Sequence, residues 1–224
     1  MVKKVAILTN GGDCPGLNAV IRAIIRTAEQ HDIECFGFMN GYKGLLENNY
    51  VRLNNSKRSS GLLNKGGTII GSSNNINVFN MPEEIDGQIQ YVDKSHVCVE
   101  NLKNLGIDCL FALGGDGTQK SARDLTKMGV NVIGIPKTID NDVPCTDITF
   151  GFNTAVQTAT DALDRLHTTA ESHDRTMILE VMGRYAGWIA LESAISGGAD
   201  AALIPEIPYD INCVVNKING RKER

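Results

Sequence analysis

The stretch from Cys109 to Asp142 constrains the fold of this chain more strongly than any other. It opens with an apolar run, Cys109 to Leu113, which predicts a parallel strand buried on both faces. The run passes directly into a glycine turn at 114–118, followed by a predicted helix at 119–128 and a second strand at 130–135. In open α/β sheets, ligands bind where a strand's carboxyl end meets a helix N-terminus, because free backbone N–H groups and the helix dipole favour an anion there. The pattern therefore predicts an anion-binding turn in an α/β protein.

The residues around this turn indicate which anion is bound. The glycines let a phosphate approach the backbone with no Cβ in its way. Asp116 would repel a phosphate directly, but its carboxylate can reach the phosphate oxygens through Mg²⁺. The segment that follows the second strand, Pro136-Lys-Thr-Ile-Asp-Asn-Asp142, brings Lys137, Asp140 and Asp142 to the same edge of the sheet. Carboxylates and a lysine beside a phosphate cradle predict phosphoryl transfer.

A similar unit begins the chain. A short apolar strand at 5–8 leads into Gly11-Gly-Asp13 and then into an amphipathic helix at about 18–30. The two glycine turns either lie side by side on one sheet edge and hold a polyphosphate between them, or the first is a tight connection in which Asp13 caps the helix. The sequence alone leaves both possibilities open.

The rest of the chain repeats strand–helix–strand units. Such units predict an α/β fold with a doubly wound, mostly parallel sheet in three α/β/α layers. A boundary near 136–139 predicts two similar domains, 1–138 and 139–224, with a cleft between them and the second domain incomplete. The remaining predicted elements are strands at 34–39, 176–181 and 201–204 and helices at 95–105, 154–168 and 182–195.

Three polar or glycine-rich segments are predicted to be loops. In the loop at 40–45, Tyr42 either faces the ligand or packs in the core. The glycine loop Gly66–Asn74 is predicted to close over the cleft, and 74–81 is predicted to be a loop or lid.

Composition limits the partners and the compartment. The net charge is −4, and the only basic run lies in the last few residues, which argues against nucleic acid as a main partner. The six cysteines are scattered without metal-binding spacing, as is typical of reduced cytosolic thiols. No apolar run reaches about 18 residues, so neither a membrane span nor a signal peptide is expected, and the predicted location is the cytoplasm.

With these residues in hand, the chain resembles the 6-phosphofructokinase family. The resemblance covers essentially the whole chain, and its motifs occur in the order found in that family. Gly-Gly-Asp-Gly-Thr alone is weak evidence, because NAD kinases and lipid kinases have similar turns, whereas Thr-Ile-Asp-Asn-Asp is specific. The matching segments are 11–18, 66–68, 114–118, 136–142 and 182–184.

The resemblance implies that domain 1–138 binds ATP together with Mg²⁺. Asp116 matches the carboxylate that orients the metal ion, with Asp142 nearby. The positions that match the nucleotide cradle are Gly12, Tyr42, Gly115, Asp116, Gly117 and Thr118.

The resemblance also implies that domain 139–224 binds fructose 6-phosphate. Asp140 matches the catalytic base, which accepts the proton of the fructose 1-hydroxyl as it attacks the γ-phosphoryl group. Arg175 matches an arginine that reaches the substrate phosphate across a subunit interface, which implies a homo-oligomer, either a tetramer or a dimer. The alternatives that remain are that Asp142 simply caps the next segment and that Arg175 is a solvated surface charge. The other matching catalytic or substrate positions are Lys137, Thr138, Ile139, Asp142, Met182, Gly183 and Arg184.

The sequence departs from the family pattern in ways that leave alternatives open. Asn74 replaces an arginine near the transferring phosphate in bacterial ATP-type enzymes, and Lys137 is seen in both pyrophosphate and ATP users. Gly117 favours ATP, since pyrophosphate users tend to have an aspartate there. Arg22 and Arg26 match effector-site positions or are simply solvent-facing.

The family's members continue well beyond residue 224, and the part that follows supplies further groups for the sugar phosphate. The alternatives are therefore a pyrophosphate-dependent enzyme or a catalytically silent fragment that binds nucleotide or another subunit. A dehydrogenase is disfavoured because the first turn lacks the G-x-G-x-x-G spacing.

Overall fold

The computed structural model describes residues 2–54, 59–74, 76–85 and 87–222 of the chain. The chain divides into two compact units. Unit 1 comprises Met1–Thr138 and Val143–Thr146, and unit 2 comprises Ile139–Asp142 and Asp147–Arg224. The binding roles expected of domains 1–138 and 139–224 remain predictions.

Unit 1 is built on a mostly parallel sheet, which confirms the predicted α/β class. Its strands are β1 (Lys4–Thr9), β2 (Glu34–Phe38), β3 (Tyr50–Arg52), β4 (Met81–Ile85), β5 (Gln88–Val92), β6 (Cys109–Gly114) and β7 (Val132–Thr138). Its helices are α1 (Leu17–Gln30), α2 (Tyr42–Leu46), α3 (Ser95–Leu105) and α4 (Asp116–Lys127). Five of the strands lie in the order β3-β2-β1-β6-β7, and every pair is parallel except β2 with β3.

Helices cover both faces of this sheet, giving the three predicted layers. On one face, Ala6, Leu8 and Leu110 join a buried cluster with residues of α2, α3 and α4. Ile7 points to the opposite face because side chains alternate along a strand, and it is fully buried. Helix α1 packs against β1 and β2, and its residue Ile21 is likewise fully buried.

The register between β1 and β6 positions the ends of both strands. The pairing runs from Val5 opposite Cys109 to Thr9 opposite Leu113. At the start of the pair, the Asp108 carboxylate accepts the backbone N–H groups of Lys3 (2.6 Å) and Lys4 (2.9 Å). These hydrogen bonds also lower the pKa of Asp108. Because the register is fixed, the turns that follow β1 and β6 leave the sheet side by side.

A separate antiparallel hairpin, β4–β5, was not predicted from the sequence. Its strands flank Asp86-Gly87, a dipeptide that favours two-residue hairpin turns. Attention to that dipeptide would have identified the hairpin.

Unit 2 contains helices with short extended segments. Its elements are β8 (Phe150–Gly151), α5 (Phe152–Ser172), α6 (Trp188–Ser196) and α7 (Ile211–Lys222). The two helices predicted at 154–168 and 182–195 are present, although α6 begins six residues later than expected. The strands predicted at 176–181 and 201–204 are wrong, because these residues have no strand assignment in the structure. Both runs are apolar enough for a strand, but neither pairs with a neighbouring strand among the described residues.

Candidate active site

The two glycine turns lie next to each other at the carboxyl ends of β1 and β6. Thr9 and Leu113 are the last paired residues, and the N–H of Asn10 donates to the carbonyl oxygen of Leu113 (2.9 Å). The chain leaves β1 towards β2 on one side, while β6 lies on the other, so the turns flank a switch point of the sheet. Open α/β proteins bind ligands at such points. Of the two possibilities that the sequence left open for the first turn, the side-by-side arrangement is confirmed.

Glycine is present in these turns for different structural reasons at different positions. A Cβ on Gly114 would lie 2.6 Å from Cγ2 of Thr118, so the fold itself requires glycine there. A Cβ on Gly12 or Gly117 would meet no atom within 4 Å. Open space above Gly12 and Gly117 leaves room for a ligand against the backbone of both turns.

Asn10 connects the two turns and was not identified from the sequence. Its side-chain amide donates to the Thr118 hydroxyl (3.4 Å), and its side-chain oxygen accepts the N–H of Tyr42 (3.4 Å). Both Asn10 and Thr118 are buried. Asparagine directly before a Gly-Gly turn is the only sequence signal for this role.

The predicted contact between Tyr42 and the nucleotide is corrected by the structure. Tyr42 opens helix α2 rather than lying in a loop, and its ring is fully buried in the core of unit 1. Its hydroxyl donates to the backbone carbonyl of Thr118 (3.2 Å). Tyr42 therefore supports the second turn from behind, where its side chain has no exposed surface for a ligand.

The loop Gly66–Asn74 forms a wall beside the first glycine turn and is hydrogen-bonded to β1 and α1, while its closing over the cleft stays a prediction. The Asn18 amide donates to the carbonyl of Lys65 (2.9 Å) and accepts the N–H of Ile69 (2.9 Å). The Thr9 hydroxyl lies 3.0 Å from that of Thr68 and donates to the carbonyl of Gly71 (2.6 Å). These bonds tie the loop to β1 and α1 along most of its length.

The first turn and this wall border an open, shallow pocket of about 330 Å³, lined by Asp13, Thr68, Ser72 and Asn74 together with glycine backbone. The Gly11 N–H donates to the carbonyl of Ser73 (3.0 Å), and the Ser72 hydroxyl donates to the carbonyl of Gly11. Of the loop or lid predicted at 74–81, the loop is confirmed, since residue 74 and residues 76–80 are in neither a helix nor a strand. Ile76, Val78 and Phe79 of this loop pack against the core. Residue 75 lies outside the described residues.

Asp116 is the first residue of helix α4 and forms an ion pair with Lys120 one turn later (2.6 Å). Residues 2–54, 59–74, 76–85 and 87–222 bring no three metal-binding side chains together. Mg²⁺ in phosphoryl-transfer enzymes needs only one or two carboxylates, because phosphate oxygens and water complete its octahedron. The half-buried Asp116 carboxylate at the start of α4 therefore fits a metal ion that arrives with the phosphate donor.

Lys137 is buried and reaches the first glycine turn. Its ammonium group donates to the carbonyl oxygen of Gly12. Cys14 lies in the same region, and burial raises its pKa to about 11 although the charge of Lys137 opposes the shift. Lys137 thus places a positive charge behind the backbone on which a phosphate would rest.

The residues predicted for the acceptor side belong to unit 2, except Lys137 and Thr138, which lie at the end of β7 in unit 1. Ile139 packs against a cluster formed by Phe152, Ala159 and Ile189. Val181 packs against the same cluster, which brings the Asp140 segment close to the 182–184 segment.

The 182–184 segment is an exposed turn. A Cβ on Gly183, whose φ is +135°, would press on the backbone carbonyl of Ala186, so glycine is required there. The Arg184 guanidinium lies 5.9 Å from the ring centroid of Tyr185. Arg184, Arg175 and Asp142 are exposed, whereas Asp140 is half-buried.

Paired glycine turns at the switch point of a parallel sheet, with an acidic helix start, define a phosphate-binding α/β protein. Residues 4–224 match the family described as Phosphofructokinase. The chain belongs to the phosphofructokinase family.

Curated relatives carry names that specify ATP. The chain is 60% identical over 224 residues to ATP-dependent 6-phosphofructokinase 2 of Clostridium perfringens, covering 99% of this chain and 61% of the relative. It is 48% identical over 222 residues to ATP-dependent 6-phosphofructokinase 3 of Bacteroides thetaiotaomicron, covering 99% of this chain and 64% of the relative. The chain thus spans less than two thirds of the length of these relatives.

Solved structures with the same fold include a pyrophosphate-dependent enzyme. The phosphofructokinase of Pichia pastoris matches with a TM-score of 0.83 and 31% identity, covering 98% of this chain and 24% of that one. The pyrophosphate-dependent phosphofructokinase of Marinobacter aquaeolei matches with a TM-score of 0.81 and 26% identity, covering 98% and 57% respectively. Because a pyrophosphate-dependent enzyme has this fold while the curated relatives are named ATP-dependent, the fold alone does not identify the donor.

Proposed function

We propose that this chain provides the donor site and the catalytic base of an ATP-dependent 6-phosphofructokinase. The reaction transfers the γ-phosphoryl group of ATP to the 1-hydroxyl of fructose 6-phosphate and yields fructose 1,6-bisphosphate, a step of glycolysis. The observation that carries the proposal is the pair of adjacent glycine turns with open space over Gly12 and Gly117.

The donor is assigned to unit 1. Backbone N–H groups of both turns face the phosphates, and the buried charge of Lys137 lies behind the first turn. Asp116 would hold Mg²⁺, which neutralises charge on the donor phosphates when it is bound. Space for a side chain at Gly117, left unfilled by the protein, favours ATP because the larger donor needs that room.

The acceptor is assigned to unit 2. Asp140 accepts the proton of the attacking hydroxyl, and its half-buried position limits competition from water. Exposed Arg184 is assigned to the sugar phosphate, and further contacts are assigned to Thr138, Asp142 and the backbone at Ile139, Met182 and Gly183.

We assign Arg175 to the site of a neighbouring subunit, so the active protein is a homo-oligomer, a dimer or tetramer. No described helix is both long and apolar enough to cross a bilayer. All six cysteines lie among the described residues and none forms a disulfide, which supports the proposed cytoplasmic location.

The test measures fructose 1,6-bisphosphate formed from fructose 6-phosphate and Mg²⁺, with ATP and pyrophosphate supplied in parallel. ATP binding by the same sample is measured by calorimetry. We expect turnover with ATP that falls by about 10²–10⁴-fold in Asp140→Asn, the usual contribution of a general base. Asp164→Asn, which alters an exposed carboxylate of α5, is the matched control and retains wild-type turnover.

Each of the other outcomes would assign a different function to this chain. Turnover with pyrophosphate alone would reassign the donor. ATP binding without turnover would make this chain a nucleotide-binding fragment, and a folded chain that binds neither donor would refute the proposed function.

A further inference from the structure

The backbone between the two acidic residues of the Asp140 segment has an unusual conformation. Asn141 has a φ of +53°, in the left-handed region that few residues other than glycine, asparagine and aspartate adopt readily. The chain bends at 139 and 140, directly before this residue, and the two acids flanking Asn141 differ in exposure: Asp140 is half-buried and Asp142 is exposed. The conformation of Asn141 thus separates two neighbouring carboxylates into different environments.

The side chain of Asn141 is anchored to a buried residue. Its carboxamide oxygen accepts the backbone N–H of Thr149 at 2.9 Å and lies 3.4 Å from the Thr149 hydroxyl. Thr149 is fully buried, and the bond spans eight residues of sequence. A short polar side chain in the left-handed region is well suited to such a bond, which holds the strained backbone in place.

Asp140 is held from its other side as well. Ile139 packs against Phe152, Ala159 and Ile189 in the apolar cluster of unit 2. The base therefore lies between an apolar anchor on one neighbour and a hydrogen-bonded anchor on the other. Few backbone torsions remain by which Asp140 can move relative to the cluster.

We infer that Asn141 is a positioning residue, which fixes the carboxylate of Asp140 through its hydrogen bond to Thr149. This inference rests on the proposed function, in which Asp140 is the base. Asn141 does not contact the reacting atoms in this scheme, and its contribution is to keep the base in line with the acceptor hydroxyl. A displacement of about 1 Å at a reacting group lowers rates by about 10²-fold.

Three substitutions separate the backbone from the side chain. Asn141→Gly tolerates the positive φ but removes the side-chain oxygen that accepts the hydrogen bond. Asn141→Ala removes that oxygen and also disfavours the positive φ. Asn141→Asp keeps an acceptor oxygen and tolerates the positive φ, but adds a negative charge. We expect kcat to fall by about 10²-fold in the alanine and glycine variants with both KM values within about threefold, and rescue to within about tenfold by aspartate.

Asn48→Ala is the matched control. Asn48 also has a φ of +53° but is exposed and lies in unit 1, so this variant carries the same backbone penalty away from the site. We expect wild-type kcat from it. Wild-type kcat in Asn141→Ala, or an aspartate variant as slow as the alanine variant, would overturn the inference.

Two readouts do not depend on turnover and separate this inference from the proposed function. They are hydrogen exchange at the Thr149 amide and the ¹³Cγ resonance of Asp140. If the hydrogen bond from Asn141 to Thr149 holds Asp140 in place, both readouts change in Asn141→Ala and stay unchanged in Asn48→Ala. If the wild-type chain is inactive, the proposed function fails for this chain, and unchanged readouts in Asn141→Ala would then refute the positioning role as well.

Discussion

Replacing Gly117 by alanine separates what the fold requires of the second turn from what a ligand requires. Gly117 lies in the first turn of α4, its φ is not positive, and a Cβ there would meet no atom within 4 Å. Alanine is favoured over glycine in a helix by about 0.5–1 kcal/mol, so the free energy of unfolding should rise by that amount. For a domain of this size the gain corresponds to about 1–4 °C in Tm.

Donor binding should change in the opposite direction. The added methyl group occupies the space in which we place the donor phosphates, and a clash there lowers affinity by about tenfold or more, equivalent to about 1.4 kcal/mol. Calorimetric titration with MgATP measures the affinity, and urea unfolding of the same sample measures the stability.

Gly220→Ala is the control, because Gly220 lies in helix α7 and a Cβ there also meets no atom within 4 Å. It should show a similar gain in stability with unchanged affinity for MgATP. A Gly117→Ala chain that binds MgATP as tightly as the wild type would refute the placement of the donor above α4. If Gly117→Ala instead lowers the free energy of unfolding, the space around Gly117 is not open in the way that the structure indicates.

Three further predictions concern the support of the site. Tyr42→Phe leaves the buried Thr118 carbonyl without its hydroxyl donor and should lower the free energy of unfolding by about 1 kcal/mol, measured by urea unfolding; an unchanged value would contradict the contact. Asn18→Ala should accelerate hydrogen exchange at the Ile69 amide while exchange at the Leu113 amide stays slow. Equal exchange rates at Ile69 in the wild type and the variant would contradict the anchoring of the Gly66–Asn74 loop by Asn18. Burial raises the pKa of Cys35 from 9.0 to about 12, so the unfolded chain loses its thiol proton first and stability falls as the pH rises from 9.0 towards about 12. In Cys35→Ala the stability should fall less steeply over this pH range. An identical dependence of stability on pH in the wild type and the variant would contradict the raised pKa of Cys35.

The strand–turn–helix units could be predicted from sequence because their signals are local. The apolar run 109–113 and the glycines that follow it predict β6 and α4 correctly, although α4 begins at Asp116, three residues before the predicted start at 119. The adjacency of the two turns also follows from a general rule, since parallel strands end at a common edge.

The errors arose where the outcome depends on distant residues. The apolar runs at 176–181 and 201–204 have the composition of strands, but a strand forms only when another strand pairs with it. Ile178, in the first of these runs, is 89% exposed. The sequence around Tyr42 does not tell whether its ring faces a ligand or the core. The ring lies in the core because it belongs to a buried cluster with Val78, Cys98 and Leu125, which are distant in sequence. The positioning role of Asn141 depends on a torsion angle and a bond to Thr149, neither of which leaves a periodic signal.

The pairing of β1 with β6 also determines when the site can form during folding. The hydrogen bond between Lys3 and Asp108 joins residues separated by 105 positions, so a long loop must close before the two strands align. Contacts of such long range slow folding, whereas α1 and α4 can form from local interactions alone. During synthesis on a ribosome, the N-terminal glycine turn therefore has no partner turn until β6 has emerged, so the proposed donor site can form only in chains that have passed this point.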